Sequence, residues 1–147
     1  SSVDAYRPTA PHVDGRGAYL AMSRALRDAR VSPGNVDHVN AHGTGTPVGD
    51  AAECKAIAEV FGPGQSISSI KGAVGHTIAA AGAVESIACA LALSEGFLPG
   101  TLGCEQVEDW PVKIEQRPRE SPCQTIVSNS MGFGGQNCSL VWGRVDG

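Results

Sequence analysis

No two cysteines in this sequence stand as C-x-x-C. The five present, Cys54, Cys89, Cys104, Cys123 and Cys138, are odd in number and widely spaced, so neither a zinc ribbon nor a disulfide framework is indicated. That usage fits a reducing, cytoplasmic setting. No run of lysine or arginine occurs and the formal net charge is -4. Phosphate backbones need clustered cations, so no nucleic-acid partner is expected. The opening stretch SSVDAYRPTA lacks a basic segment followed by an apolar one, the mark of a secretory signal. Gly43-x-Gly45-x-x-x-Gly49 has the wrong interval for a dinucleotide fingerprint, and no Walker lysine follows it. His38 and His42 fall on a strand and a loop, so they share no helical face on which to hold zinc. Neither a metal nor a cofactor is expected.

What is present suits one globular domain over residues 1–147: 41% hydrophobic and 18% charged residues. The stretch 73–93 is apolar enough to raise the question of a membrane span. It is largely alanine and contains His76 and Glu85, which favours a buried helix and no membrane association.

Ala18, Met22, Ala25 and Ala29 recur at helical spacing with Arg16, Arg24, Arg27 and Asp28 turned away, predicting a helix over 16–30 with a solvated basic face. Val36 to Ala41 reads as a strand running into the glycine-rich loop 42–49. Asp50 and Glu53 resemble a capping box opening a helix whose stripe is Ala56, Ile57, Val60 and Phe61. A second strand, 67–70, empties into a second glycine-containing loop, 71–76. From 77 to 93 the pattern is apolar on every side, predicting a helix surrounded by protein. Two last strands, 126–129 and 138–142, flank the loop 130–137, and the segment 96–124 reads as irregular. Such alternation predicts an α/β fold with helices layered on a sheet.

His42 and His76 each sit in a loop at the end of a predicted strand, where a rigid sheet presents polar groups. His12 and His38 have no such context and are read as structural. Glu85 on an apolar helix must find a partner if buried, and Lys71 lies one loop away, able to form an ion pair that positions His76. Glycines around Phe133, including Gly134, allow backbone N–H groups to approach a ligand closely, as an oxyanion hole requires.

Three segments, Val39-Asn40-Ala41-His42-Gly43-Thr44-Gly45-Thr46-Pro47-Val48-Gly49-Asp50, Ser68-Ser69-Ile70-Lys71-Gly72-Ala73-Val74-Gly75-His76-Thr77 and Asn129-Ser130-Met131-Gly132-Phe133-Gly134-Gly135, resemble the C-terminal motifs of the β-ketoacyl-acyl-carrier-protein synthases. Residues 5–11 resemble the stretch after the first strand of that half. The resemblance implies the C-terminal half of a thiolase-like α/β fold and a part in decarboxylative Claisen condensation of malonyl-acyl carrier protein with an acyl thioester. His42 and His76 would hydrogen-bond the thioester carbonyl as the enolate forms. Lys71 and Glu85 would support His76. Thr44 and Thr46 would contact the pantetheine arm, and Phe133 would give its backbone N–H to the oxyanion hole and its ring to the acyl gate. Implied partners are acyl carrier protein and an N-terminal half bearing the nucleophilic cysteine.

The sequence departs from the family pattern in two ways. Met131 stands where many relatives have phenylalanine, a more adaptable side chain at the gate beside Gly134. No cysteine lies in a nucleophile motif, so the chain alone is expected not to condense. The family's C-terminal half also begins with a strand expected just upstream of Ser1, whose loss would leave a marginal, aggregation-prone fold. A non-catalytic module binding acyl carrier protein or a partner subunit is the alternative reading. A degradative thiolase is disfavoured, because such enzymes carry a second active-site cysteine in the motif that here reads Asn129-Ser130-Met131-Gly132-Phe133. Fatty acid, polyketide and polyene pathways stay open.

Overall fold

The computed structural model describes residues 1–104 and 109–145. Its frame is a mixed sheet in the order β1-β8-β7-β2-β3-β5, formed by Ser2–Val3, Gln136–Gly143, Thr125–Gly132, His38–Asn40, Gln65–Ser68 and Val112–Ile114 respectively. β2 pairs in parallel with both β3 and β7, and β3 with β5. β8 runs antiparallel to β7 and β1. Phe97–Leu98 (β4) and Arg119–Glu120 (β6) form a separate antiparallel pair.

The central strand β2 is buried at every residue, as expected of a parallel strand covered on both faces. On one face lie α1 (Arg16–Ala29) and α2 (Pro47–Phe61), which close a core of Met22, Leu26, Ile57, Val39 and Val127. The two helices meet closely where Gly15 precedes α1: a Cβ there would lie 2.2 Å from the Ala52 carbonyl oxygen, and its φ is +65°. Only glycine meets both demands. The other face carries α4 (Ala81–Glu95), packed on β7 through a smaller core of Cys89, Ala92, Leu93, Leu98, Cys123 and Ile126.

Several expectations are corrected. The buried stripe of α1 is Ala18, Ala21, Met22 and Leu26, while Ala29 is exposed. The helix after the first histidine loop starts at Pro47, whose fixed φ suits the first helical position; Glu53 forms no capping box and points into the core instead. The second strand is Gln65–Ser68, and the loop after it winds into a helical turn, α3 (Lys71–Val74). Ser130, Met131 and Gly132 belong to β7, leaving Phe133–Gly135 as the turn. The segment read as irregular contains β4, β5 and β6; within it, 105–108 lie outside the described residues. The stretch Ile78–Glu95 is long and apolar enough to cross a membrane by length and composition. In this fold α4 buries Ala81, Glu85, Cys89, Ala92 and Leu93 on the sheet, but it is not enclosed: Ile87 and Leu91 are 62% and 49% exposed.

Candidate active site

Because β2, β3 and β7 run parallel, their C-terminal ends share one edge of the sheet. The segments that follow them deliver His42, His76 and Phe133 to that edge, the side of an open α/β sheet where ligands bind. The imidazoles of His42 and His76 stand edge to face with centroids 5.5 Å apart. Nδ1 of His76 accepts the backbone N–H of Ile78 at 3.2 Å, which places the ring proton on Nε2. Ile78 reaches that position with φ at +53°, a left-handed backbone costing a β-branched residue about 1–2 kcal/mol. Nδ1 of His42 is enclosed without a hydrogen-bond partner among the described residues. With the ring proton on Nε2, no N–H is left unpaired in that enclosed position. Burial, aided by the Lys71 ammonium and by His76, lowers the His42 pKa to about 4, leaving a neutral ring at pH 7.

The backbone under His42 is held from both sides. Oε1 of Glu53 accepts the His42 N–H at 2.9 Å, and Oε2 accepts the Gly43 N–H at 3.0 Å. The opposing carbonyls are held by donors: Lys71 Nζ bonds the His42 oxygen at 2.6 Å, and the Ser69 hydroxyl bonds the Gly43 oxygen at 3.0 Å. Asn129 of β7 donates to Oε1 of Glu53 at 3.1 Å, and its own oxygen accepts from Ser139 at 2.7 Å. Burial pushes the Glu53 carboxyl up, against the pull of these N–H donors.

Lys71 and Glu85 form a buried ion pair, and Oε2 of Glu85 accepts the Ser130 hydroxyl at 3.4 Å. The pair's contact with the histidine loops differs from the expected one. Nζ reaches the carbonyl of His42, and none of the hydrogen bonds of Lys71 or Glu85 goes to the His76 ring. Its chain position one turn before His76 suggests the latter, but the side chain extends across the sheet edge toward β2.

His42, His76, Thr44, Thr46, Met131 and Phe133 line one cleft of about 530 Å³, joined by Asp4, Thr9 and Asn137. The hydroxyls of Thr44 and Thr46 lie 3.3 Å apart. The Asp50 carboxyl organises this loop: burial raises its pKa, while the amides of Thr46, Gly45 and Thr44 favour its ionised form. The Phe133 ring is 79% exposed at the cleft rim. Gly134 is placed differently from expectation. It does not line the cleft, and its N–H is spent on the carbonyl of Pro8 at 2.8 Å, strapping residues 4–8 to the hairpin turn. Its φ of +75° serves the turn.

Cys54 and Cys89 are buried, and burial pushes both thiols up to about 12, far from the lowered values of nucleophilic thiols. His38, read as structural, is buried between the Ser66 and Ser68 hydroxyls at 3.0 and 2.9 Å.

Glu53, Ser69, Asp50 and Asn129 are the residues that sequence reasoning missed. For Glu53 a signal was available: it lies three and four positions before Ala56 and Ile57, on the face predicted to be buried. Ser69 and Asn129 act across the sheet, and nothing in their local sequence announces it.

Residues 1–105 match the family model described as "Beta-ketoacyl synthase, C-terminal domain". Over 152 residues the chain is 43% identical to the mitochondrial 3-oxoacyl-[acyl-carrier-protein] synthase of Arabidopsis thaliana, covering 98% of this chain and 33% of that protein. It is 41% identical to a 3-oxoacyl-[acyl-carrier-protein] synthase homolog of Saccharomyces cerevisiae, covering 99% of this chain and 36% of the relative. Among solved structures it is similar to the ishigamide ketosynthase/chain length factor, with TM-score 0.94 and 34% identity over 99% of this chain and 36% of that one. It is likewise similar to a type II PKS acyl-carrier protein in complex with its ketosynthase bound to the hexaketide, with TM-score 0.93 and 31% identity over 98% of this chain and 36% of that one. The chain thus spans about a third of the length of the relatives it matches.

Proposed function

The chain belongs to the beta-ketoacyl synthase C-terminal domain family, and from that premise we propose that it supplies the decarboxylation half-site of a condensing enzyme. The carrying observation is the pair of imidazoles, 5.5 Å apart, on loops ending adjacent parallel strands. As carbon dioxide leaves a malonyl thioester, negative charge gathers on the thioester oxygen. Two fixed Nε2–H donors aimed there act on the transition state more than on the ground state. Burial keeps the His42 ring neutral, aided by the Lys71 ammonium beside it. Glu53, Lys71 and Ser69 act as positioning residues, because each holds a peptide group of the His42 loop and none needs to touch substrate.

The enolate carbon then attacks an acyl group on a cysteine. Cys54 and Cys89 are buried with raised thiol pKa values, and the nucleophile is assigned to an N-terminal ketosynthase half that completes the cleft. The exposed Ile87 and Leu91 of α4 offer an apolar face for such a partner. Acyl carrier protein is the donor of the malonyl and acyl groups. Thr44, Thr46 and the cleft beside Met131 receive its pantetheine arm, and the backbone N–H of Phe133 serves the acyl oxyanion. The acyl-carrier protein seen in complex with its ketosynthase in a similar structure supports a carrier as the donor.

The test is carbon dioxide release from malonyl-acyl carrier protein, with and without the N-terminal half. Release is expected to depend on both His42 and His76 and to be lost in either alanine variant. Release that survives both substitutions would end this reading, and ketoacyl product from the 147-residue chain alone would overturn the assignment of the nucleophile to another half.

A further inference from the structure

Gly49 is at odds with its own helix. It occupies the first turn of α2, where glycine costs stability relative to alanine, and it is not among the glycines with positive φ. Its backbone therefore gives no reason for the missing side chain. The reason lies in its neighbour: a Cβ at residue 49 would sit 2.5 Å from Oγ1 of Thr46 but 3.8 Å from Cβ of the same threonine. The hydroxyl alone occupies the space that an alanine methyl would take.

Thr46 is the residue before the first turn of α2, and there a threonine hydroxyl ordinarily caps the helix by accepting an N–H of that turn. Here it makes no such bond. Its hydroxyl lies instead 3.3 Å from that of Thr44, on the wall of the cleft. The backbone around it has little freedom, because the loop amides from Thr44 to Thr46 face the Asp50 carboxyl and the Thr46 carbonyl accepts the Asp50 N–H at 2.9 Å. What remains free is χ1 of Thr46, with its three staggered wells.

We propose that Gly49 is a positioning residue whose absent side chain selects the Thr46 rotamer, keeping that hydroxyl paired with Thr44 and turned to the pantetheine cleft. The inference rests on the proposed role of Thr46 toward the thioester arm. A methyl at residue 49 tolerates only the well that points the Thr46 Cβ–H bond at it, a rotation of about 120° that carries the hydroxyl away from its present place. The rotation is cheap, so the fold should survive it while the cleft loses a hydrogen-bonding group.

The experiment uses the assembled protein, this chain together with the half that carries the nucleophile. Crystal structures of the parent and Gly49→Ala proteins give the Thr46 rotamer. Melting temperature, and KM and kcat for malonyl-acyl carrier protein, are measured for Gly49→Ala, Thr46→Ala and the double variant. Expected are a turned Thr46 in Gly49→Ala, a melting temperature equal to the parent's or higher, and a KM raised about fivefold with kcat little changed, the loss of one hydrogen bond. Thr46→Ala should show the same KM, and the double variant no more. An unmoved Thr46 rotamer, or effects that add in the double variant, would overturn the proposal. If the rotamer turns while KM for all three variants matches the parent, Gly49 selects the rotamer as inferred and the role given to Thr46 toward the thioester arm fails.

Discussion

Glu53 accepts the backbone N–H of His42 at 2.9 Å from inside the helix that follows the histidine loop. The contact makes a buried carboxylate part of the scaffold of a neutral imidazole. The stability of the site and the direction of the His42 ring are therefore coupled through one side chain.

Replacing Glu53 by glutamine keeps the shape but turns an NH2 group toward donors. One or more of the His42, Gly43 and Asn129 N–H groups loses its acceptor, at about 1–3 kcal/mol for each group left unpaired. Glu53→Gln is expected to lower unfolding stability by about 3 kcal/mol in urea titrations and to broaden or shift the His42 ring resonances. A silent variant would show that the carboxylate does not hold the loop.

Lys71→Met leaves Glu85 charged and buried without its partner, which costs on the order of 3–5 kcal/mol. Lys71→Met combined with Glu85→Leu should recover most of that stability, since an apolar pair can substitute for a buried ion pair. It should not recover decarboxylation, because the tie from Nζ to the His42 carbonyl is gone. Recovery of both would reduce Lys71 to a packing role.

Acid should destabilise the protein well above the carboxylate range. Burial between two serines lowers the His38 pKa to about 4, with Glu115 opposing and Arg119 and Lys113 adding to the shift; His42 falls to about 4 as well. Both folded values lie below the ordinary 6.5, so the unfolded chain binds more protons between those limits and stability falls as pH drops from about 6.5 to about 4. His38, almost wholly buried, contributes on the order of 3 kcal/mol. His38→Gln should flatten part of that slope in denaturation curves taken from pH 7 to 4. Glu115 is held down to about 2, where bonds from Arg119, Lys113 and Ser66 outweigh its burial; its contribution is lost only below about pH 4.5.

Thiol labelling of the folded chain should follow exposure. Cys138 is exposed on β8, whereas Cys54, Cys89 and Cys123 are buried with raised thiol pKa values. An alkylating reagent at neutral pH is expected to modify Cys138 first, read by peptide mass, and the three buried thiols only on unfolding. Early labelling of Cys54 or Cys89 would contradict the packing described for α2 and α4.

The elements were largely legible because periodicity is local. The helical spacing read from Ala18 to Ala29, right in period though not in every residue, and the glycine-rich loops after each strand pointed to the layered fold and the two histidines. Edges were less legible: Pro47, not Asp50, opens α2, because a proline at the first helical position outweighs a capping pattern. The helix 81–95 misled for a different reason. An all-round apolar sequence predicts a covered helix, yet the outer face with Ile87 and Leu91 is bare in this chain. The supports of His42 were the least legible. Glu53 and Asn129 meet across 76 residues of sequence, and Ser69 reaches Gly43 across 26, distances that no local pattern records.

The parallel pairing of β2 with β7 also governs how the site comes into being. Asn40 and Ser128, joined across those strands, are 88 residues apart, so β7 brings its side of the cleft to β2 from far along the chain. Loop closure of that length is slow and earns no contacts until it is complete. The imidazole pair itself needs only β2 and β3, but the cleft around it is completed late, because Met131 and Phe133 arrive with β7 and its turn, and a C-terminal truncation that removes β7 would leave the histidines without that wall however well α1, β2 and α2 had formed.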